Sequence, residues 1–526
     1  MMASPFLPGA PAAGRGRSSR DSIGKPRVIA GPVKGLRLFE DISNVPDGGA
    51  VVLDNWVVQS DTVRPRNGND PRNTGLPNRT RAFAVYRNGS VNKLFSFSGV
   101  ATQAIYDVST FGPVGAPLVS GLAATEWSTV QFATPGGAFL IACGAGNSRL
   151  VYDGSTWSTS PAITGVSMSS LSQVFLHGSR QWFIEAGTLN AWYLPVDSIG
   201  GAATKFPLGG LFSKGGTLVA GASWSYGADG GGMQATAVFV SSEGEIAVYQ
   251  GSDPSTNFEI KDVYRTGKPC GINCFMKTDG DLAIMTEAGL FPMSQIVQLD
   301  AAALADKGIS RNIRPLWLDA AKRSDISAWK IIRRDTTGYA IVSVPKIEGE
   351  DPFQFVANLQ TGAWSRWTGW DVLAMAAFGD ELVFAGEAGT IFNGEKTGAD
   401  DGNPFTAIYV GQFRGNKLRR ILPKLGRVAV RSMNRYRPKI TALVDYNLNI
   451  PSPPQSSALA SGSLWDDALW DQGKWSGGKV YSGKWQTLSG IGATVAPCVQ
   501  FTFGQTNEID LDFIRTDFIE ETGSVL

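Results

Sequence analysis

Short apolar runs that alternate with polar residues and stop at turns fill most of this chain. "GGAFLIAC", "ATAVFVSSEGEIAVY", "DLAIMTEAGLF" and "DELVFAGEAGTIF" are examples. A period of two puts successive side chains on opposite faces, so these runs predict half-buried β-strands. Glu-Gly and Asp-Gly pairs among them predict tight hairpins. Helical patterns are scarce. "QLDAAALADKG" followed by "LWLDAAKRSD" predicts one helical insertion near residues 299–325.

The runs repeat. A strand-like segment ends in an aromatic residue and a polar turn at Tyr106, Tyr152, Tyr193, Tyr249, Phe291 and Phe392, with a looser member near Asn358. The first interval is 46 residues, and Tyr152 to Tyr249 spans 97, about two such units. A β-unit recurring every ~40–50 residues is the signature of propeller blades, which bury their faces only by stacking around an axis. The expected fold is mostly β: a β-propeller of six or seven blades over 81–400, plus a β-rich platform formed by N- and C-terminal segments (31–80 and 401–526). Residues 1–30 are expected to be a flexible basic arm, since residues 1–34 hold six Lys or Arg against one Asp.

Composition adds bounds. Gly is abundant, 63 of 526 residues, as a turn-rich β-protein requires. Net charge is +1, so no partner follows from overall charge. No apolar run approaches ~20 residues, so no transmembrane segment is expected. Four cysteines, Cys143, Cys270, Cys274 and Cys498, are too few for a disulfide framework at this length. They read as buried thiols. A zinc site would need Cys143 or Cys498 brought to the Cys270/Cys274 pair.

Charge is instead concentrated in two blocks. Residues 411–439 hold ten Lys or Arg and no acid, and "ILPKLGRVAV" alternates like a strand. Such a strand would pack one face and line the other with cations, and the block's Arg414, Lys417, Arg419, Arg420, Lys424, Arg427 and Arg431 would suit phosphates or an acidic partner. Residues 507–521, "NEIDLDFIRTDFIEE", hold six acids and one Arg. The two could pair within one β-domain or across a subunit boundary, or be separate solvated faces.

Candidate chemistry is sparse. His177, the only histidine, sits in "VFLHGSRQW" at a strand end, where packing explains it better than catalysis. "VYDGSTW" (Asp153, Gly154, Trp157) comes one residue short of the Asp box of propeller sialidases. It reads as a hairpin whose Asp caps the turn and whose Trp packs on the neighbouring blade. No catalytic, cofactor or metal residues are assigned, and the chain is not expected to be an enzyme. "LWDDALWDQGKW" spaces Trp465, Trp470 and Trp475 five apart, with Asp466 and Asp471 after the first two. It suits a buried structural repeat or a sugar-binding platform.

One stretch carries a family resemblance. In "GPVKGLRLFEDISNVPDGGAVVLDNWVVQSDTVRPRNG" (31–68), Pro46 to Gly49 read as a turn and Asp54-Asn55 as another. Trp56 opens a second apolar piece. Arg64 and Arg66 share a face before an expected Asn67-Gly68 turn. Gly35-Leu36, Pro46 with Gly48, Leu53-Asp54-Asn55, and Arg66 before Gly68 resemble the N-terminal signature of podophage tail nozzle proteins, also called tail tubular, hub or DNA-stabilisation proteins. Arg37 stands where Asn is usual, and Asp47 replaces a second Pro. The propeller-like middle and the Trp-Asp run are similar to that family too.

The resemblance implies a structural protein of the virion tail of a short-tailed bacteriophage, assembled in the host bacterial cytoplasm. A homohexameric ring would lie below the adaptor protein and the portal. It would close and conduct the channel for double-stranded viral DNA, and dock tail fibres or spikes or meet the host surface. Leu53, Asp54, Asn55, Trp56, Arg64, Arg66 and the Trp-Asp run would belong to the platform. The basic block would face a neighbouring subunit, the adaptor or the DNA channel. The rival functions are a propeller glycoside hydrolase (a depolymerase) and a receptor-binding lectin, both acting on host surface polysaccharide.

Overall fold

Strand pairing turns the alternating runs into antiparallel sheets in a computed structural model of the chain, which describes residues 26–39, 41–227, 233–415, 420–456, 458–459 and 479–522. The hairpin at His177 shows how. Leu171–His177 and Arg180–Glu185 are joined by Gly178 and Ser179, both at positive φ, 58° and 55°. A two-residue turn of that hand matches the twist of the strands. A Cβ on Gly178 would lie 2.2 Å from the Ser252 carbonyl oxygen, so the turn admits no side chain there.

Seven such sheets follow one another among the described residues. The first runs from Thr80–Asn88 to Val119–Leu122, the second from Ser128–Thr134 to Trp157–Ser158, the third from Leu171–His177 to Thr204–Pro207 and the fourth from Leu218–Gly227 to Glu259–Arg265. The fifth has three strands, beginning at Phe275–Lys277, and the sixth runs from Lys330–Arg334 to Ala363–Thr368. The seventh begins at Ala374–Phe378 and takes Gly68–Thr74 from the other end of the chain, paired antiparallel with Thr390–Thr397. First strands of most successive sheets lie against one another. The fourth and fifth share a core containing Val238, Val240, Leu282 and Ile284. Ala374–Phe378 returns to Thr80–Asn88 and closes the circle. The result is a seven-bladed β-propeller closed by an N-terminal strand.

Tyr106, Tyr152, Tyr193, Tyr249, Phe291, Asn358 and Phe392 each lie in the third strand of one blade. Between blades five and six come short helices at Met293–Ile296 and Ala301–Leu304 and a longer one at Arg314–Arg323. The longer helix buries Trp317 against Trp329 and Phe355.

Both chain ends build the platform. One layer holds Arg27–Ala30, Trp56–Val58, Val63–Pro65, Ile421–Ser432, Val480–Ser482, Trp485–Thr487 and Leu511–Thr522. The other holds Val52–Asp54, Phe405–Val410, Lys439–Val444 and Thr494–Phe503. Trp56, fully buried, meets Phe513 in its own layer at 5.5 Å and Phe501 in the other at 5.8 Å. Val52–Asp54 also pairs parallel with the last strand of blade six, through Asp54 and Arg366. Blade six thereby continues into the platform as one nine-stranded sheet over a shared apolar core.

Two local expectations are corrected. Residues 68–74, expected in the platform segment 31–80, belong to the propeller, where they pair with Thr390–Thr397. Asn67-Gly68 is not a turn: Gly68 opens the strand that closes the propeller. Glycine is needed there for close approach, because a Cβ would sit 1.9 Å from the Ala399 carbonyl oxygen.

Candidate functional site at the joint of propeller and platform

Asp54, Asn55, Arg64 and Arg66 of the signature stretch converge where the two bodies meet. Leu53 is buried, and Asn55 turns the chain at a φ of 64°. That turn aims the Asn55 amide at three segments. Its Nδ2 donates to Thr368 Oγ1 at 2.9 Å and the Thr406 carbonyl at 2.8 Å. Its Oδ1 accepts from Thr368 N at 2.8 Å and Arg66 Nε at 2.9 Å. The side chain is fully satisfied.

Arg66 is completely buried and uses every donor it has. Besides Asn55, it donates to the Asn67 carbonyl at 3.0 Å and the Thr368 carbonyl at 2.9 Å. A bidentate pair with Asp400 completes the set, at 2.8 and 2.6 Å. The guanidinium lies 4.1 Å from the Phe405 ring centroid and 4.8 Å from that of Trp370. Trp370 Nε1 in turn donates to Asp400 at 2.9 Å. Two further pairs flank it. Asp54 grips Arg366 bidentately at 2.8 and 2.7 Å, and Arg64 meets Glu395 at 2.6 Å. Burial works against the charge on Arg64 and Arg366, but Glu395 and Asp54 outweigh it and hold both above the ordinary arginine pKa. Charge-assisted pairs of this geometry fix orientation as well as distance.

Asp400, Glu395, Arg366, Thr368 and Trp370 escape sequence reading. Asp400, Glu395, Arg366 and Thr368 meet their hydrogen-bond partners, and Trp370 the Arg66 guanidinium, across some 300 residues of chain, and "GADDGN" looks like any turn.

The two charge blocks pair inside the chain. Ile421–Ser432 runs antiparallel to Leu511–Thr522, with Arg427 opposite Asp517 and Arg431 opposite Asp512. Lys424 reaches Glu521 at 3.1 Å, Arg427 Nε reaches Asp517 at 2.9 Å, and Arg431 reaches Asp512 at 2.9 Å. Arg27–Glu520, Arg515–Asp517 and Lys479 with Asp510 and Asp512 extend the ladder. Asp512 is held below the ordinary aspartate pKa: burial opposes this, but Arg431 and Lys479 prevail. Arg414 pairs with Asp47, and Arg420 is exposed. Lys417, Arg419, Trp465, Asp466, Trp470, Asp471 and Trp475 lie outside the described residues.

On the same face Tyr481 stands opposite Arg431 and is 70% exposed. Trp485, 39% exposed, stands opposite Arg427, whose guanidinium lies 4.7 Å over its ring.

The other candidates have structural roles. His177 is buried, with Nδ1 3.0 Å from Ser223 Oγ and Nε2 2.7 Å from the Gly251 carbonyl. Burial lowers its pKa. The carbonyl fixes the tautomer with the proton on Nε2, so Nδ1 accepts from Ser223. Asp153 caps its turn through Ser155 N and Thr156 N, at 2.8 and 2.7 Å. Those bonds hold its pKa down to about 2. Trp157 packs 5.2 Å from Phe95 of blade one. All four cysteines are buried free thiols.

No family model matches the sequence. No curated protein matches it either. Among solved structures, BBS1N in complex with ARL6DN aligns over 66% of this chain and 99% of its own, with 12% identity and a TM-score of 0.41. The Swd1 β-propeller domain of Myceliophteria thermophila aligns over 62% and 100%, with 14% identity and a TM-score of 0.36. Sqt1 of Saccharomyces cerevisiae aligns over 63% and 99%, with 10% identity and a TM-score of 0.34. The seven blades stand on this chain's own strand pairings; likenesses of this size say nothing of its function.

Proposed function

We propose that this chain is the nozzle, or hub, of a short phage tail: a structural virion protein forming a homohexameric ring below the adaptor and portal. The observation that carries the reading is the placement of Leu53, Asp54, Asn55, Trp56, Arg64 and Arg66. Asp54, Asn55, Arg64 and Arg66 sit at the joint, and their contacts lock a propeller to a platform made from both chain ends, with Leu53 and Trp56 buried beside them. A fixed angle between the two bodies is what a ring subunit needs, because a cyclic interface closes only when each copy presents its surfaces at one orientation. The exposed Tyr481 and Trp485 beside the charge ladder offer aromatic contact area of the kind enriched at interfaces.

The test is the copy number in purified virions, by quantitative mass spectrometry normalised to the portal protein. Half as many copies as portal chains supports the nozzle reading. Absence from particles overturns it.

A further inference from the structure

Beside the joint lies an open cleft of about 560 Å³, between the edge of blade seven and the platform. Its apolar wall includes Trp370, Phe392 and Phe405. Four aspartates, three asparagines and two threonines supply its polar lining, so negative charge predominates. Asp351, Asp371 and Asp401 line it, and none has a cationic partner among the described residues. Asp371 accepts one backbone N–H, from Glu387 at 2.9 Å. Asp400 also lines the cleft, but its charge is already matched by Arg66. Asn69 lines it as well, is 5% exposed, and keeps a side-chain oxygen with no hydrogen-bond partner. A buried acceptor without a donor is costly, so it marks a place where a donor belongs.

The chemistry of an occupant follows. Carboxylates without cationic partners, an unpaired amide oxygen and an aromatic wall call for an occupant that carries positive charge, donates hydrogen bonds and lies against rings. A metal ion fits poorly, because among the described residues no three carboxylates converge closely enough to hold one. Guanidinium meets every demand: it has five donors, no acceptor, a delocalised charge and flat faces that stack on aromatics. Arg66 already packs against Trp370 and Phe405 from the buried side, so the same rings accept this group chemically.

We propose that this cleft binds an arginine side chain presented by a basic peptide segment of a partner protein. The inference does not depend on the tail assignment. An arginine entering here would bridge blade seven and the platform from outside, as Arg66 bridges them from within.

The experiment is calorimetric titration of the full chain with a capped Gly-Arg-Gly-Arg peptide at low salt, beside its citrulline counterpart, which keeps the shape and loses the charge. The wild type is compared with Asp351→Asn/Asp371→Asn/Asp401→Asn. A control, Glu259→Gln/Asp262→Asn/Asp306→Asn, neutralises three exposed carboxylates remote from the cleft lining. Because Asp371 also holds a backbone N–H, the double variant Asp351→Asn/Asp401→Asn serves if the triple one misfolds. Binding that falls about tenfold or more in the cleft variants and with citrulline, and holds in the control, supports the proposal. Equal binding by wild type and cleft variants, equal binding of citrulline peptide, or no binding overturns it. Displacement of the peptide by magnesium or calcium at constant ionic strength makes the cleft a metal site and also overturns it.

Discussion

Replacing Arg66 with Met removes the centre of the joint while keeping its volume and stem. Five hydrogen bonds go at once, two of them to Asp400. Summing them at ~1.5–3 kcal/mol each would overshoot, because five bonds that share one guanidinium form a single network and are not additive. The better estimate asks what is stranded. Asn55 Oδ1 keeps Thr368 N, and Asp400 keeps Trp370 Nε1. The Asp400 carboxylate loses its cation, and the Asn67 and Thr368 carbonyls lose charged donors. Breaking a buried pair from one side costs ~3–5 kcal/mol. The Asp400 side chain is 17% exposed, so water relieves part of that cost and about 3 kcal/mol is expected. Arg66→Lys, with three donors that cannot form the fork, falls between. The assay is guanidinium unfolding with limited proteolysis to report which body opens, run as a double-mutant cycle with Asp400→Asn. Coupling above about 1.5 kcal/mol is expected, with cleavage appearing first near residues 66–74. A loss below about 1 kcal/mol, or additive effects, refutes the clamp.

Four further outcomes follow from named contacts. Gly68→Ala should cost about 3 kcal/mol or prevent ring closure of the propeller, read by thermal unfolding, since its Cβ meets the Ala399 backbone. His177 has a folded pKa below its ordinary 6.5, so its contribution is complete above pH 6.5 and declines as pH falls below it; His177→Gln should flatten that limb of the stability–pH curve. On the tail reading, Tyr481→Glu should leave thermal stability nearly unchanged yet reduce incorporation into particles, measured by mass spectrometry. Binding to a double-stranded oligonucleotide, followed by anisotropy from low to moderate salt, should show a shallow salt slope, and a slope matching ten free cations would refute the internal pairing.

The blades were legible because they repeat. A turn after an aromatic third strand survives without any identity between units, so the interval of 46 residues from Tyr106 to Tyr152 was readable. Their number was softer because the helical insertion stretches one interval and Asn358 replaces the aromatic in another. Closure by Gly68–Thr74 was invisible: "GNDPRNT" is polar and contains a proline, and it becomes a strand only because Thr390–Thr397 offers an unpaired edge. The charge blocks showed their complementarity in sequence, but register decided where it would be used. Arg64 and Arg66 were identified with no hint of Glu395 and Asp400, because a motif records one side of a long-range contact and composition hides the other.

Register also bears on how the platform could serve a DNA conduit, on the proposed reading. Ten cations in 29 residues look like a phosphate-binding strip when read alone. Cross-strand neighbours change that. Lys424, Arg427 and Arg431 each have a carboxylate within hydrogen-bonding distance, and Lys479 has two. A phosphate could displace such a carboxylate only by leaving it beside both itself and the polymer, so the pairs resist conversion into DNA contacts. A face of alternating signs repels neither DNA nor a neighbouring subunit strongly and holds neither by charge alone. Affinity on that face would then come from what the ladder surrounds. Tyr481 and Trp485 stand directly opposite two of its arginines, so an aromatic contact would be made in a register that the ion pairs impose.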